Sequence, residues 1–256
     1  MGERTPLRLG GARGFRWGPL PPEVEASLPA WLDGEVAVGK GDEGVEVLKP
    51  GRVWRVGDLV LKRYPPPSGL ARLQGSPALR AGDLHDRLQP LRTPRTLLAV
   101  EREDRTGLLV SEYIDGRFLG ALWDDDPAGR EAFPAFMAEM HAQGVLHGDL
   151  NMRNMLWSGE EWVLIDLDGI VRGPRSLARK RLISAQWARI LGTLRDRPGS
   201  RELFDAYVAI ARPSWDPEQF WEQASSRGRR FAAVWDEQRA RRARSAAPGP
   251  GTEAGH

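Results

Sequence analysis

The sequence predicts an α+β chain of two lobes, an antiparallel β lobe followed by a mainly helical one. Three observations carry that reading. Val45-Glu46-Val47-Leu48, Val53-Trp54-Arg55-Val56 and Leu59-Val60-Leu61-Lys62 are short β-rich runs, separated by Lys49-Pro50-Gly51-Arg52 and by the tight turn Gly57-Asp58. From residue 130 onward the apolar residues instead recur at helical spacing, first as Phe133, Phe136, Met137 and Met140 with Gly144 as the stop. Between these regimes lie Met155-Leu156-Trp157 and a run from Trp162 to Ile165, joined by Ser158-Gly159-Glu160-Glu161, which read as a hairpin.

The elements follow in order. Residues 1–30 are rich in Gly, Pro and Arg without an amphipathic period, and read as an N-terminal arm that Phe15 and Trp17 fasten to the body. Val36-Ala37-Val38 reads as a further strand of the first lobe, and residues 65–75 as a Pro/Gly linker. Residues 76–89 begin with a Ser cap and a Pro in the first turn, which predicts a helix with Leu79, Leu84 and Leu88 as its apolar positions. Thr96 to Val100 and Leu108 to Tyr113 are two more strands about a charged turn. After the 155–165 hairpin come three helices, starting near 176, 202 and 217. The first lobe is expected over 31–114, the second over 115–244, and a disordered tail over 245–256.

Composition sets outer limits. At 256 residues the chain can bury one large core or two small ones. The absence of cysteine removes disulfides, thiolate metal sites and Cys nucleophiles together. A net charge of +2 creates no strong global field, so no nucleic-acid partner is expected. No apolar run reaches membrane-span length and the N-terminus lacks a signal-peptide core, which points to a cytoplasmic protein. For the arginines of 239–244 a solvated, frayed end is the favoured reading, with peripheral contact to an anionic membrane face the other.

Chemistry concentrates in two stretches, His147-Gly148-Asp149-Leu150-Asn151-Met152-Arg153-Asn154 and Leu164-Ile165-Asp166-Leu167-Asp168-Gly169. The hairpin between them should bring Asn154 and Asp166 to one mouth, with Asp149 close by. Two hard oxygen ligands beside a third carboxylate suit phosphoryl transfer: Mg²⁺ takes oxygen, and a separate carboxylate orients the attacking hydroxyl. One such acid could merely end a strand; three polar residues in this register fit that reading poorly.

The paired stretches resemble the catalytic loop and metal-binding turn of the protein-kinase-like superfamily, with Gly148 for the middle Arg of His-Arg-Asp and Asp166-Leu167-Asp168 for Asp-Phe-Gly. The variant looks most like the bacterial lipopolysaccharide kinases of the Kdo and WaaP type, over residues 45–195. The resemblance implies a two-lobed kinase-like fold, ATP and Mg²⁺, and a sugar hydroxyl of a lipopolysaccharide core as acceptor, met at the inner face of the cytoplasmic membrane. It implies Asp149 as the catalytic carboxylate, Asn154 and Asp166 as metal ligands, and Lys62 on the α- and β-phosphates. Gly51 stands where the glycine-rich loop belongs, and Glu112-Tyr113 where the adenine-binding hinge belongs. His147 becomes a structural hub, and Asp168 a second ligand or a substrate contact.

Two departures matter. The loop at 49–52 has one glycine instead of three, and the helix at 76–89 has no Glu for Lys62, only Asp83 and Asp86. The segment from Gly169 to Arg175 is also too short for a peptide platform and lacks Ala-Pro-Glu, so no peptide substrate is expected. Arg153, Arg172 and Arg175 together would suit an anionic sugar, although each singly reads as ordinary surface. Two alternatives stand beside the sugar-kinase reading: a small-alcohol phosphotransferase of the aminoglycoside or choline-like kind, and a catalytically silent nucleotide-binding module.

Overall fold

The computed structural model describes residues 4–9, 11–33, 44–69, 76–147, 150, 152–172, 177–195 and 197–246. The β lobe runs β1 (Thr5–Leu9), β2 (Ala12–Arg16), α1 (Pro22–Asp33), β3 (Val45–Lys49), β4 (Val53–Val56), β5 (Leu59–Tyr64), α2 (Pro77–Arg87), β6 (Thr96–Glu101) and β7 (Gly107–Glu112). Its strands form one antiparallel sheet in the order β1-β2-β6-β7-β5-β4-β3. The helical lobe runs β8 (Arg117–Phe118), α3 (Leu119–Leu122), α4 (Pro127–Ala142), β9 (Val145–His147), β10 (Met155–Trp157), β11 (Trp162–Leu164), β12 (Ile170–Arg172), α5 (Leu177–Leu194), α6 (Ser200–Ala211) and α7 (Pro217–Ala246). The expected antiparallel β lobe and helical lobe of a kinase-like fold are both present.

The period-two alternation of β5 decides which way the lysine points. Leu59 and Leu61 bury themselves in the core beneath α1, so Val60, Lys62 and Tyr64 must face the opposite side, toward the cleft. Strand β7 divides likewise: Leu108 and Val110 join the core while Leu109 and Ser111 line the cleft. That core is closed by Leu28, Trp31 and Leu32 of α1, with Trp31 edge-on to Trp54 at 5.0 Å between centroids.

Within the expected arm, residues 1–30, the described residues form elements of the β lobe. Strands β1 and β2 form a hairpin that extends the sheet beyond β6, and α1 covers its core face. The hairpin strands are short and mostly half-buried or exposed, which leaves little apolar pattern to read, and Pro29 lies inside α1. Helix α2 starts where the Ser-Pro pair placed it, with the Ser76 hydroxyl accepting from the Leu79 N–H at 3.4 Å. The expected strand at 36–38 lies outside the described residues, as do most of the expected linker and residues 247–256 of the expected tail. Helix α7 continues to Ala246, so 245 and 246 are helical.

The helical lobe is built on aromatic packing. Trp187 of α5 lies against Phe133, Phe204 and Tyr207, and Phe133 meets Trp162 edge-on. Helices α5 and α7 cross at a glycine pair, where a Cβ on Gly192 would stand 2.6 Å from the Gly228 carbonyl oxygen. No helix among the described residues is long and apolar enough to cross a membrane.

Candidate active site

A cavity of about 450 Å³ opens between the lobes. Its roof is Val53, Val60, Lys62 and Tyr64 of the sheet; its floor includes Arg153, Asn154, Leu156, Ile165 and Asp166. The hairpin places the floor as expected. Met155 pairs with Leu164, and the Ile165 N–H then donates to the Asn154 carbonyl at 2.9 Å, which sets Asn154 beside Asp166. Lys62 descends from the roof to form an ion pair with the Asp166 carboxylate. Lys62, Asn154 and Asp166, separated by up to 104 residues of chain, thus share one cleft.

Asp166 has φ 61° and ψ 54°, in the left-handed region. Asp tolerates it better than most side chains, but such a residue still costs on the order of 1–2 kcal/mol. Its carbonyl oxygen accepts from His147 Nε2 at 2.9 Å. The imidazole is 2% exposed and packs flat enough against Gly169 that a Cβ there would lie 2.7 Å from Cε1. His147 therefore acts as the hub expected of it, clamping the turn that carries Asp166. With that nitrogen donating to a carbonyl, the Asn154 Nδ2 contact at 3.5 Å is packing, and Oδ1 is the atom of the amide suited to a cation.

Asp149 lies outside the described residues, as do Gly148, Asn151 and Arg175, and the side chains of Asp86, Asp168 and Arg172 are likewise undescribed. Asp83 is engaged by Arg4, and among the described residues Lys62 forms an ion pair with Asp166. Gly51 sits with φ +64° at the β3–β4 turn, the left-handed conformation that favours glycine. Lys49 and Val53, on either side of it, line the cavity, while Gly51 itself does not.

Glu112 and Tyr113 line the cavity at the join of the lobes. The Glu112 carboxylate accepts the Arg95 N–H at 2.9 Å and pairs with Arg92 at 2.8 Å, so it braces the hinge. The Tyr113 N–H is donated to the Asp58 carbonyl at 2.7 Å, and the Arg55 guanidinium covers its ring at 3.7 Å. Ile114, next in the chain, also lines the cavity. Of the expected hinge, Glu112 to Gly116, the residues Glu112, Tyr113, Ile114 and Gly116 line the cavity.

Among the described residues no three His, Asp or Glu side chains converge as a metal cage. One carboxylate and one amide oxygen nevertheless fit Mg²⁺, which commonly takes few protein ligands and completes its octahedron with phosphate and water.

Residues 70–177 match the model of the phosphotransferase enzyme family APH. Among solved structures, the chain is similar to aminoglycoside phosphotransferase APH(3'')-Id from Streptomyces rimosus, at 18% identity and a TM-score of 0.52, covering 78% of this chain and 98% of that one. The same enzyme in complex with ADP and streptomycin matches at 16% identity and a TM-score of 0.51, covering 79% and 98%. No curated protein sequence matches. The fold is therefore that of the kinase-like phosphotransferases, and fold and family match together indicate an enzyme acting on hydroxyl groups. The matched family is the one behind the small-alcohol reading, and these matches do not extend to the lipopolysaccharide kinases that the sequence resembles.

Proposed function

We propose that the chain transfers the γ-phosphoryl group of ATP to the hydroxyl of a compact soluble acceptor, of the aminoglycoside or choline-like kind. The observation that carries this is the convergence of Lys62, Asn154 and Asp166 on one interlobe cavity. The family match and the streptomycin bound by the similar enzyme support the acceptor class.

Lys62 neutralises the α- and β-phosphates once nucleotide draws it from Asp166. Asn154 and Asp166 would hold Mg²⁺, which would supply charge neutralisation to the phosphates. Asp149 accepts the hydrogen bond of the acceptor hydroxyl and takes its proton as the new P–O bond forms. The bond from the γ-phosphorus to the bridging oxygen breaks, and ADP leaves. Positioning and charge do most of the work, so few side chains are needed. The shortness of the exit supports a compact acceptor: β12 ends at Arg172 and α5 begins at Leu177. Four residues cannot lay out a polypeptide.

A second acceptor, an acidic glycolipid sugar, is favoured by one observation only, Arg153 in the cavity wall beside Asn154. The test is transfer of label from γ-labelled Mg·ATP to aminoglycosides, small amino alcohols, an acidic glycolipid and casein. Labelling of the soluble alcohols is expected. Labelling of the glycolipid alone would move the acceptor to the second reading, labelling of casein would overturn both, and intact nucleotide binding without any transfer would mark a silent module.

A further inference from the structure

Behind the cleft, three side chains and one backbone carbonyl, from four elements, form a buried polar chain. Tyr207 of α6, His141 of α4, Gln186 of α5 and His147 of β9 are each 2% exposed or less, inside an otherwise apolar and aromatic core. Tyr207 Oη lies 2.9 Å from His141 Nδ1, and His141 Nε2 lies 2.6 Å from Gln186 Oε1. Gln186 Nε2 donates to the His147 carbonyl at 3.0 Å.

Donor and acceptor chemistry fixes the direction of the chain. Gln186 must present its NH₂ to the His147 carbonyl, so its Oε1 faces His141 and can only accept. His141 Nε2 therefore carries a proton, and in the neutral imidazole Nδ1 accepts from the Tyr207 hydroxyl. The relay ends on the residue that clamps the phosphoryl-transfer turn. The His147 carbonyl takes the Gln186 bond together with the Leu150 N–H at 3.2 Å, while its ring holds the Asp166 carbonyl.

We propose that Gln186 and His141 are positioning residues of the phosphoryl-transfer site: they fix the His147 backbone, and through its ring the turn bearing Asp166, from the far side of the lobe. A core of this kind needs no polar group for stability. Desolvating an amide and an imidazole costs free energy that well-made hydrogen bonds only offset, so such a network specifies geometry more than it stabilises. Neither residue touches nucleotide or acceptor. The function of the positioning rests on the phosphotransfer reading; the positioning itself does not.

Two variants that both break the bond to His147, but differ in whether the His141 link is kept, separate positioning from bulk stability. Gln186→Leu keeps the volume and removes both links. Gln186→Glu keeps the acceptor for His141 but removes the donor to His147. Turnover of Mg·ATP, KM for ATP, thermal midpoint and hydrogen exchange of the peptide spanning 145–157 would be measured for both. The expected result is a kcat about tenfold or more lower in both variants, the scale of a misplaced loop. KM for ATP should stay within twofold, and exchange should be faster in 145–157 while β6 and β7 are unchanged. A kcat that instead follows the thermal midpoint from variant to variant, or that stays at the wild-type value, overturns the proposal. If the wild-type protein turns over no ATP, the phosphotransfer reading fails and exchange alone decides: unaltered exchange in 145–157 in both variants overturns the positioning.

Discussion

Gly169→Ala should damage the site through a single methyl group. The new Cβ would stand 2.7 Å from Cε1 and 3.1 Å from Nδ1 of the His147 ring, whereas ordinary contact begins near 3.4 Å. Gly169 has no positive φ, so the backbone accepts alanine and the effect isolates the clash. The ring is 2% exposed and has no open side into which to swing. It must retreat by about 0.7 Å, enough to take the 2.9 Å bond to the Asp166 carbonyl out of hydrogen-bond range. Overpacking costs about 1–3 kcal/mol and the lost bond about 1 kcal/mol, so unfolding free energy should fall by about 2–4 kcal/mol. Displacement of the Asp166 turn on the ångström scale should lower turnover by roughly a hundredfold. Urea unfolding and Mg·ATP turnover measure the two effects. A variant within 0.5 kcal/mol and within twofold of wild type would refute the role given to the His147 clamp.

Other outcomes follow from the same geometry. Gly228→Ala places a Cβ 2.8 Å from the Ala188 carbonyl oxygen and 3.0 Å from the Gly192 nitrogen. An exposed helical glycine would gain about 1 kcal/mol by that change, but here overpacking of about 1–3 kcal/mol should win and lower the thermal midpoint. Asp149→Asn should leave the Mg·ATP thermal shift nearly intact while lowering turnover about a hundredfold, the scale of a lost general base. The Arg201 guanidinium bonds Glu218 across the α6–α7 junction and holds its carboxyl below the usual value of 4.5. A lowered folded-state value gives stability that is present above pH 4.5 and fades as pH falls through the lower value. Acid titration of Glu218→Gln should therefore show a shallower loss of stability below pH 4.5 than wild type.

What could be read from the chain depended on how far each interaction reaches. Strands β3 to β5 were legible because alternation and turn residues are local, and that alternation also settles the facing of Lys62. Asn154 and Asp166 were legible because one hairpin joins them. The β1–β2 hairpin and α1 are hard to read in the sequence although Val24, Leu28, Trp31 and Leu32 carry a helical period, because Pro29 lies within that period and the two strands show little alternation. Asp83 looked like a partner for Lys62 from its place on α2, and only the folded hairpin shows it bound to Arg4. Gln186 and His141 had one faint signal, a polar residue at a core-facing position of an apolar helix. Their bonds span 39 and 45 residues, and no local pattern encodes such a pairing.

The central claim is that Lys62, Asn154 and Asp166 build one Mg·nucleotide site. Calorimetric titration of ATP, with and without Mg²⁺, into wild type, Lys62→Met and Asp166→Asn tests it most directly. The account predicts Mg²⁺-dependent binding by wild type, weakened at least tenfold by Lys62→Met. In Asp166→Asn the dependence on Mg²⁺ should largely vanish, because one of few hard ligands is gone. Equal affinity in all three proteins, or wild-type binding indifferent to Mg²⁺, would contradict it.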